Sequence, residues 1–143
     1  MQISECMTQD VCIVSPQDTL QRAAEIMAEI DAGSLPVGEN DRLVGMITDR
    51  DIAIRGVGRG HGADAPVAEV MTREIKYCFE NEDADDVLDT MADLQVRRLP
   101  VLNAAKRLVG IVSLSDLADD ETRHAGQTLG EIARSSALHS QQL

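Results

Sequence analysis

Leu35-Pro36-Val37, a polar turn, and then Arg42-Leu43-Val44-Gly45-Met46-Ile47-Thr48-Asp49-Arg50-Asp51 decide how this chain is read, because the pattern returns as Leu99-Pro100-Val101, a polar turn, and Arg107-Leu108-Val109-Gly110-Ile111-Val112-Ser113-Leu114-Ser115-Asp116. The Leu-Pro-Val triplets lie 64 residues apart; after one inserted residue the offset becomes 65. Working outward, Met7-Thr8 recurs as Met71-Thr72, Glu5 as Glu69, Met27-Ala28 as Met91-Ala92, and Ala53 as Ala118. Conservative pairs fill the gaps: Asp18 with Glu82, Thr48 with Ser113, Ile52 with Leu117. Self-similarity at a fixed period marks a duplicated structural unit.

Each copy has the same order of elements. A short apolar strand is expected at Val11 to Val14 and at Ile75 to Phe79. A helix follows. Leu20, Ala23, Ala24, Met27 and Ile30 form its apolar face in the first copy, and Val87, Leu88, Met91 and Leu94 in the second. Ser15-Pro16-Gln17-Asp18 supplies capping chemistry for the first helix and Gly33 its end, while Asn81 to Asp86 gives the second an acidic first turn. Two strands joined by a turn come next, at Ser34 to Val37 and Leu43 to Thr48, then at Arg98 to Leu102 and Leu108 to Ser113. A second helix opens at Asp49-Arg50-Asp51 and at Ser115-Asp116. The fold class is therefore α+β, with strand-helix-strand-strand-helix written twice. A unit of about 60 residues buries little surface alone, so the two repeats are expected to pack pseudo-symmetrically, sheet to sheet.

The expected division is repeat 1 over residues 1–57, a Gly-rich linker over 58–65, repeat 2 over 66–120, and a C-terminal helix and tail over 121–143. Thr128 to Arg134 carries the amphipathic pattern of that last helix, and Ala137 to Leu143 has the look of a frayed end. His61 sits in the flexible Gly56 to Gly62 connection, where its neighbours do not fix its geometry.

Composition narrows the function. The chain has 143 residues, 43% of them hydrophobic and 27% charged, which is ordinary for one globular unit. Lys and Arg number 13 against 25 Asp and Glu, a net charge of −12 that makes nucleic acid an unfavourable partner. Tyr77 and Phe79 are the only aromatic residues, too few for a base-stacking platform. Cys6, Cys12 and Cys78 are odd in number and lack zinc-ligand spacing, so no metal site or disulfide framework is expected. No apolar run is long enough to span a bilayer, and a cytoplasmic protein is expected. Catalytic residues are not assigned: His61, His124 and His139 fall in the linker and tail, and no thiol has a sequence neighbour that would activate it.

With the repeats, the Leu-Pro-Val triplets and the Gly-x-x-Thr/Ser-x-x-Asp strings in place, residues 1 to 120 resemble tandem CBS domains, the pair known as a Bateman module. Length and the strings Gly45-Met46-Ile47-Thr48-Asp49-Arg50-Asp51-Ile52 and Gln95-Val96-Arg97-Arg98-Leu99-Pro100-Val101 are similar to small stand-alone pairs of the mycobacterial hypoxic-response-protein type. The resemblance implies an adenine nucleotide or other adenosyl ligand in clefts between the repeats, and two chains paired through their helices into a flat dimer.

Placed on this sequence, the resemblance assigns ribose and phosphate contacts to Thr48, Asp51, Ser113 and Asp116. A helix start favours anionic oxygen, a hydroxyl bonds to it, and a carboxylate accepts ribose hydroxyl protons. The simpler role for all four is to cap their helices. Arg97 and Arg98 stand where similar pairs carry phosphate-binding residues and where the first copy has Gly33 and Ser34; Arg50 and Arg55 are weaker candidates. An exposed pair salt-bridged to nearby acids is the alternative for Arg97 and Arg98. Adenine would lie against the first strands, at Ile13, Val14, Ile75 and Tyr77, unless these are plain core.

The leading reading is a non-catalytic sensor binding AMP, ADP, ATP, NAD(H) or S-adenosylmethionine, with no required cofactor. Its output would pass to an unknown effector protein or through the homodimer, for which Ile52, Ile54 and Leu117 offer an apolar face. The alternative is a structural or redox-linked interaction protein whose nucleotide clefts are vestigial.

Overall fold

Leu20, Ala23 and Met27 are the buried stripe of helix α1 (Leu20–Ile30) in the computed structural model, which describes residues 1–118. The expected C-terminal helix and tail, with His124 and His139, lie outside the described residues. Thr19, rather than Ser15 to Asp18, caps α1: its hydroxyl accepts from the Arg22 N–H at 3.0 Å. Asp18 instead closes the preceding turn by accepting from the Ser15 N–H at 2.8 Å. The helix ends before Gly33, at Asp31, which takes the left-handed conformation at φ 54° and donates its N–H to the Met27 carbonyl. In the second copy α2 (Ala84–Leu94) buries Ala84, Val87, Leu88 and Met91, and has the expected acidic first turn in Asp85 and Asp86.

After α1 come β1 (Ser34–Glu39) and β2 (Arg42–Thr48), an antiparallel pair. Their two-residue turn puts Asn40 and Asp41 at φ 54° and 62°, the left-handed pair that a tight hairpin requires. The second copy pairs β4 (Arg98–Leu102) with β5 (Leu108–Ser113) in the same way. Its connection, residues 103–107, has one residue more than the equivalent 39–42 and is built on Asn103, whose side-chain oxygen accepts from the Ala105 and Arg107 N–H groups at 3.0 Å. The inserted residue that shifts the repeat offset is absorbed there. Both pairs slip register at the same place, after Val37 and after Val101.

The first strand of each copy is shorter than the apolar runs indicate. β3 is only Cys78–Phe79, parallel to β4, and in the first copy a single parallel bridge joins Val14 to Val37. The chain turns at once: Ser15 is already in the turn that Asp18 closes, and the Phe79 N–H donates to Glu82 at 2.6 Å in the equivalent position. The second helices also differ. In the first copy the backbone forms a π-helical turn over Asp51–Gly56; in the second, α3 (Leu114–Ala118) is α-helical.

The chain forms two compact units, one from Met1–Val11 with the described chain from Lys76, the other from Cys12–Ile75. Each has its own apolar core. One contains Ile3, Val87, Leu88, Met91, Leu99, Val101, Val112 and Leu117; the other Val14, Leu20, Ala23, Leu35, Val37, Ile47, Val67 and Val70. The segment that opens each repeat in sequence is thus built into the unit of the other. Thr8 exchanges two backbone hydrogen bonds with Ile111, and Thr72 exchanges two with Met46. Ile3 donates to the Glu82 carbonyl and Val67 to the Asp18 carbonyl, again 64 residues apart.

The Gly-rich connection is not the loose tether expected from its composition. The Ala65 and Ala63 carbonyls accept from the Leu20 and Gln21 N–H groups, supplying partners for the open start of α1. The His61 N–H donates to Gly56, and His61 Nδ1 lies 3.3 Å from Glu69 Oε2, so backbone and ring are both held.

Candidate functional site

Each β2-to-helix or β5-to-helix junction is closed by a reciprocal pair of hydrogen bonds. The Thr48 N–H donates to Asp51 Oδ2 at 3.0 Å, and the Asp51 N–H donates to Thr48 Oγ1 at 2.9 Å. The Ser113 N–H donates to Asp116 Oδ2 at 2.9 Å, and the Asp116 N–H donates to Ser113 Oγ at 3.2 Å. This is a capping box in which a hydroxyl and a carboxylate satisfy two orphan donors. The capping role weighed for these four residues is therefore present in the fold. It commits one oxygen of each carboxylate; the second oxygen of Asp51 lies 3.7 Å from Arg55 Nη1, and Ser113 Oγ is 2.9 Å from Ser115 Oγ.

The two boxes differ in their flanks. Arg98 faces Ser113 across β4 and β5, and Arg97 immediately precedes it with its carbonyl accepting from the Leu114 N–H at 2.8 Å. Both arginines are exposed, and among the described residues neither guanidinium makes a hydrogen bond or ion pair. The salt-bridged alternative is not what the described residues form. In the first copy Ser34 faces Thr48, and Gly33 accepts from the Asp49 N–H at 2.9 Å. Arg50 is exposed, and its N–H donates to Asp49 Oδ1. Arg55 is tied inward, with Nη1 3.2 Å from Thr72 Oγ1 and 3.7 Å from Asp51 Oδ1.

Of the four residues expected at adenine, the structure separates one. Val14 is 1% exposed within its core, and its N–H and carbonyl bond to Pro36 and Gly38, so it has no surface for a ligand. Ile13 and Tyr77 occupy equivalent positions and are 43% and 37% exposed; Ile75 is half-buried. Tyr77 packs edge to face on Phe79 at 5.5 Å. Alternation explains the split, since neighbours along an extended chain face opposite ways.

Leu117 is also removed from the apolar face expected for dimer contacts, being fully buried in its own core. Ile52 packs partly against the other core, whereas Ile54 and Val57 remain exposed. Cys78 is buried and its thiol is pushed up to about 12, chiefly by burial and then by the nearby Glu82 carboxylate, which favours the neutral thiol over the thiolate. Among the described residues no three His, Cys, Asp or Glu side chains converge on a point that would hold a metal ion, and no helix is long and apolar enough to cross a membrane.

Sequence reasoning passed over Asp49 as a site residue. The signal was available in the repeat itself, because the offsets that match Thr48 to Ser113 also set Asp49 against Leu114 and Gly33 against Arg97.

Comparison with known proteins gives a consistent result. The CBS domain family matches residues 3–57 and 67–120. The CBS domain-containing protein YhcV of Bacillus subtilis is 41% identical over 133 residues, covering 92% of this chain and 94% of that protein. Hypoxic response protein 1 of Mycobacterium tuberculosis is 41% identical over 123 residues, 85% of each chain. A crystal structure of Hypoxic Response Protein I with two coordinated zinc ions aligns with a TM-score of 0.76 at 38% identity, over 84% of this chain and 98% of that one. The CBS domain pair of MJ0100, in complex with 5′-methylthioadenosine and S-adenosyl-L-methionine, aligns with a TM-score of 0.72 at 25% identity, over 83% of this chain and 94% of that one.

Proposed function

The chain belongs to the CBS-domain family, with two copies forming a small stand-alone pair, and from that premise we propose that it is a non-catalytic sensor of a phosphorylated adenosyl ligand held by the second repeat. In this reading Ser113 and Asp116 bind the ribose and the first phosphate oxygen, and Arg97 and Arg98 bind the phosphate. Tyr77 lies along the adenine. The first repeat offers the matching box of Thr48 and Asp51, with Ile13 in the position equivalent to Tyr77 and Arg50 as an exposed cation.

The observation that carries this reading is the freedom of Arg97 and Arg98. In a chain of net charge −12, two arginines adjacent in sequence, the second facing Ser113 of the hydroxyl–carboxylate box across the hairpin, make no side-chain ion pair among the described residues. Each charge-assisted bond from such a group to phosphate is worth about 1.5–3 kcal/mol. The MJ0100 pair, which holds two adenosyl compounds, neither of them phosphorylated, supports the adenosyl part of this assignment. Zinc is not assigned here, because the described residues provide no cluster of ligands for it.

A sensor without an attached effector acts by favouring one of two arrangements, and the ligand must bind those arrangements with different affinity. The output would pass to a partner protein or a second copy of the chain in the cytoplasm. A second reading, an interaction protein with vestigial ligand sites, draws on the capping boxes, which give all four hydroxyl and carboxylate groups a purely structural use.

Thermal unfolding with AMP, ADP, ATP, NAD⁺, NADH and S-adenosylmethionine separates the two. A ligand at 100 times its dissociation constant adds about 2.7 kcal/mol of stability. A shift with a phosphorylated ligand that is lost in Arg97→Ala/Arg98→Ala supports the sensor. No shift with any compound moves the assignment to the interaction protein.

A further inference from the structure

We propose that the first repeat takes an adenosyl ligand that carries no phosphate, and that Asp49 is the residue that turns phosphate away. The inference rests on the reading above that a hydroxyl–carboxylate box holds a ribose, and it concerns what the neighbouring side chains then allow at the 5′ position.

Residues 49 and 114 hold the same place in the two repeats. The Asp49 N–H donates to the Gly33 carbonyl at 2.9 Å, and the Leu114 N–H donates to the Arg97 carbonyl at 2.8 Å. A β-carbon on Gly33 would stand 3.0 Å from Asp49 Oδ2 and 3.4 Å from its Cγ. The carboxylate therefore fills the space into which a side chain at position 33 would grow. In the second repeat this pair is Arg97 with Leu114, so the exchange replaces a cation beside an apolar residue with an anion beside no side chain. Next along the strand, Ser34 faces Thr48 where Arg98 faces Ser113.

The two cations that follow Asp49 most closely in sequence, Arg50 and Arg55, do not reverse this. Arg55 is engaged, with Nη1 near Thr72 Oγ1 and Asp51 Oδ1 and Nη2 3.5 Å from the Met71 carbonyl. Among the described residues Arg50 has a partner only for its backbone, where its N–H donates to Asp49 Oδ1 at 2.8 Å. That bond steadies the carboxylate, while the exposed Arg50 side chain has no partner among the described residues. A side chain already held in place loses less freedom on meeting a ligand than one that must first be ordered. A ligand with its ribose on the Thr48–Asp51 box would meet a carboxylate where the second repeat presents guanidinium. Like charges so placed select against phosphate and leave uncharged or cationic 5′ groups unopposed.

Calorimetric titration of the full chain with AMP, adenosine and S-adenosylmethionine tests this. In Arg97→Ala/Arg98→Ala we expect AMP binding to be lost while S-adenosylmethionine, a net cation, still binds at one per chain. Adding Ser34→Arg and Asp49→Leu should restore AMP binding and weaken S-adenosylmethionine by at least about tenfold. Asp49→Asn, a milder change, should move adenosine little and shift the preference from S-adenosylmethionine toward AMP. Two equivalent AMP sites in the unaltered chain would overturn the proposal, as would Ser34→Arg/Asp49→Leu gaining no AMP binding. If the unaltered chain binds S-adenosylmethionine in an Asp49-dependent way but no AMP, the second-repeat reading fails and this one stands. Binding of none of the three compounds overturns both.

Discussion

The sulfur of Met7 lies 2.6 Å from where a β-carbon on Gly110 would stand, and the carbonyl oxygen of Thr8 lies 2.9 Å from the same point. Met71 and Thr72 approach Gly45 in the same way, at 2.8 and 2.9 Å. The glycine that closes each Arg-Leu-Val-Gly string is therefore required by a neighbouring segment: the Met-Thr pair near the start of the other repeat runs against it and hydrogen-bonds to the next residue of the strand.

Gly110→Ala should destabilise the protein by about 1–3 kcal/mol, because the added methyl meets a backbone oxygen as well as a flexible thioether. Met7→Ala in the same chain should recover only part of the loss, since Thr8 remains. Urea unfolding gives both numbers. Equal stability of Gly110→Ala and the unaltered chain would contradict the close approach.

Ile3 precedes the first repeat's strand yet is fully buried among Leu88, Met91 and Leu99. Ile3→Ala should cost about 2–5 kcal/mol. Amide exchange should accelerate first in β4, β5 and α2, while β1 and β2 stay protected. Val67→Ala should give the opposite pattern, with a smaller cost because less volume is removed.

Ser113→Ala should lower stability in the absence of any ligand by about 0.5–2 kcal/mol, the usual cost of a lost helix cap. Arg98→Ala should change ligand-free stability by less than about 0.5 kcal/mol, as its exposed side chain has no partner among the described residues. The contrast separates residues that hold the fold from those free to hold an anion. A large ligand-free loss in Arg98→Ala would show that the guanidinium is already in use.

Cys78 ionises near the ordinary 9.0 when unfolded and only at about 12 when folded. The unfolded chain then gives up the proton first, so this thiol's contribution to stability is intact below about pH 9 and declines as pH rises toward 12. Cys78→Val, which copies Val14 of the first repeat, removes that decline. The gap in melting temperature between the two proteins should change with pH above 9 and stay constant below it. Under native conditions, a thiol reagent should modify the exposed Cys12 and spare Cys78.

Much of this was legible in the chain itself. The duplication, the helical stripes and the paired hairpins are local patterns, and Met27, Leu35, Val37 and their partners fall in the core because their spacing matches the period of a helix or strand. The Thr48–Asp51 and Ser113–Asp116 boxes were legible too, since their partners are three residues apart. Val14 and Leu117 were misplaced because an apolar side chain looks the same in sequence whether it lines a site, an interface or a core.

The sequence by itself determined the repeat, the order of elements and the chemistry available at each junction, because these depend on side-chain periodicity and on contacts between near neighbours. Only the tertiary structure decided that Met7-Thr8 lies along β5 and Met71-Thr72 along β2, that the Arg97 and Arg98 guanidinium groups have no partner among the described residues, and that Asp49 fills the space beside Gly33. Those facts depend on which distant segments meet, and a linear pattern repeated twice does not say which copy completes which unit.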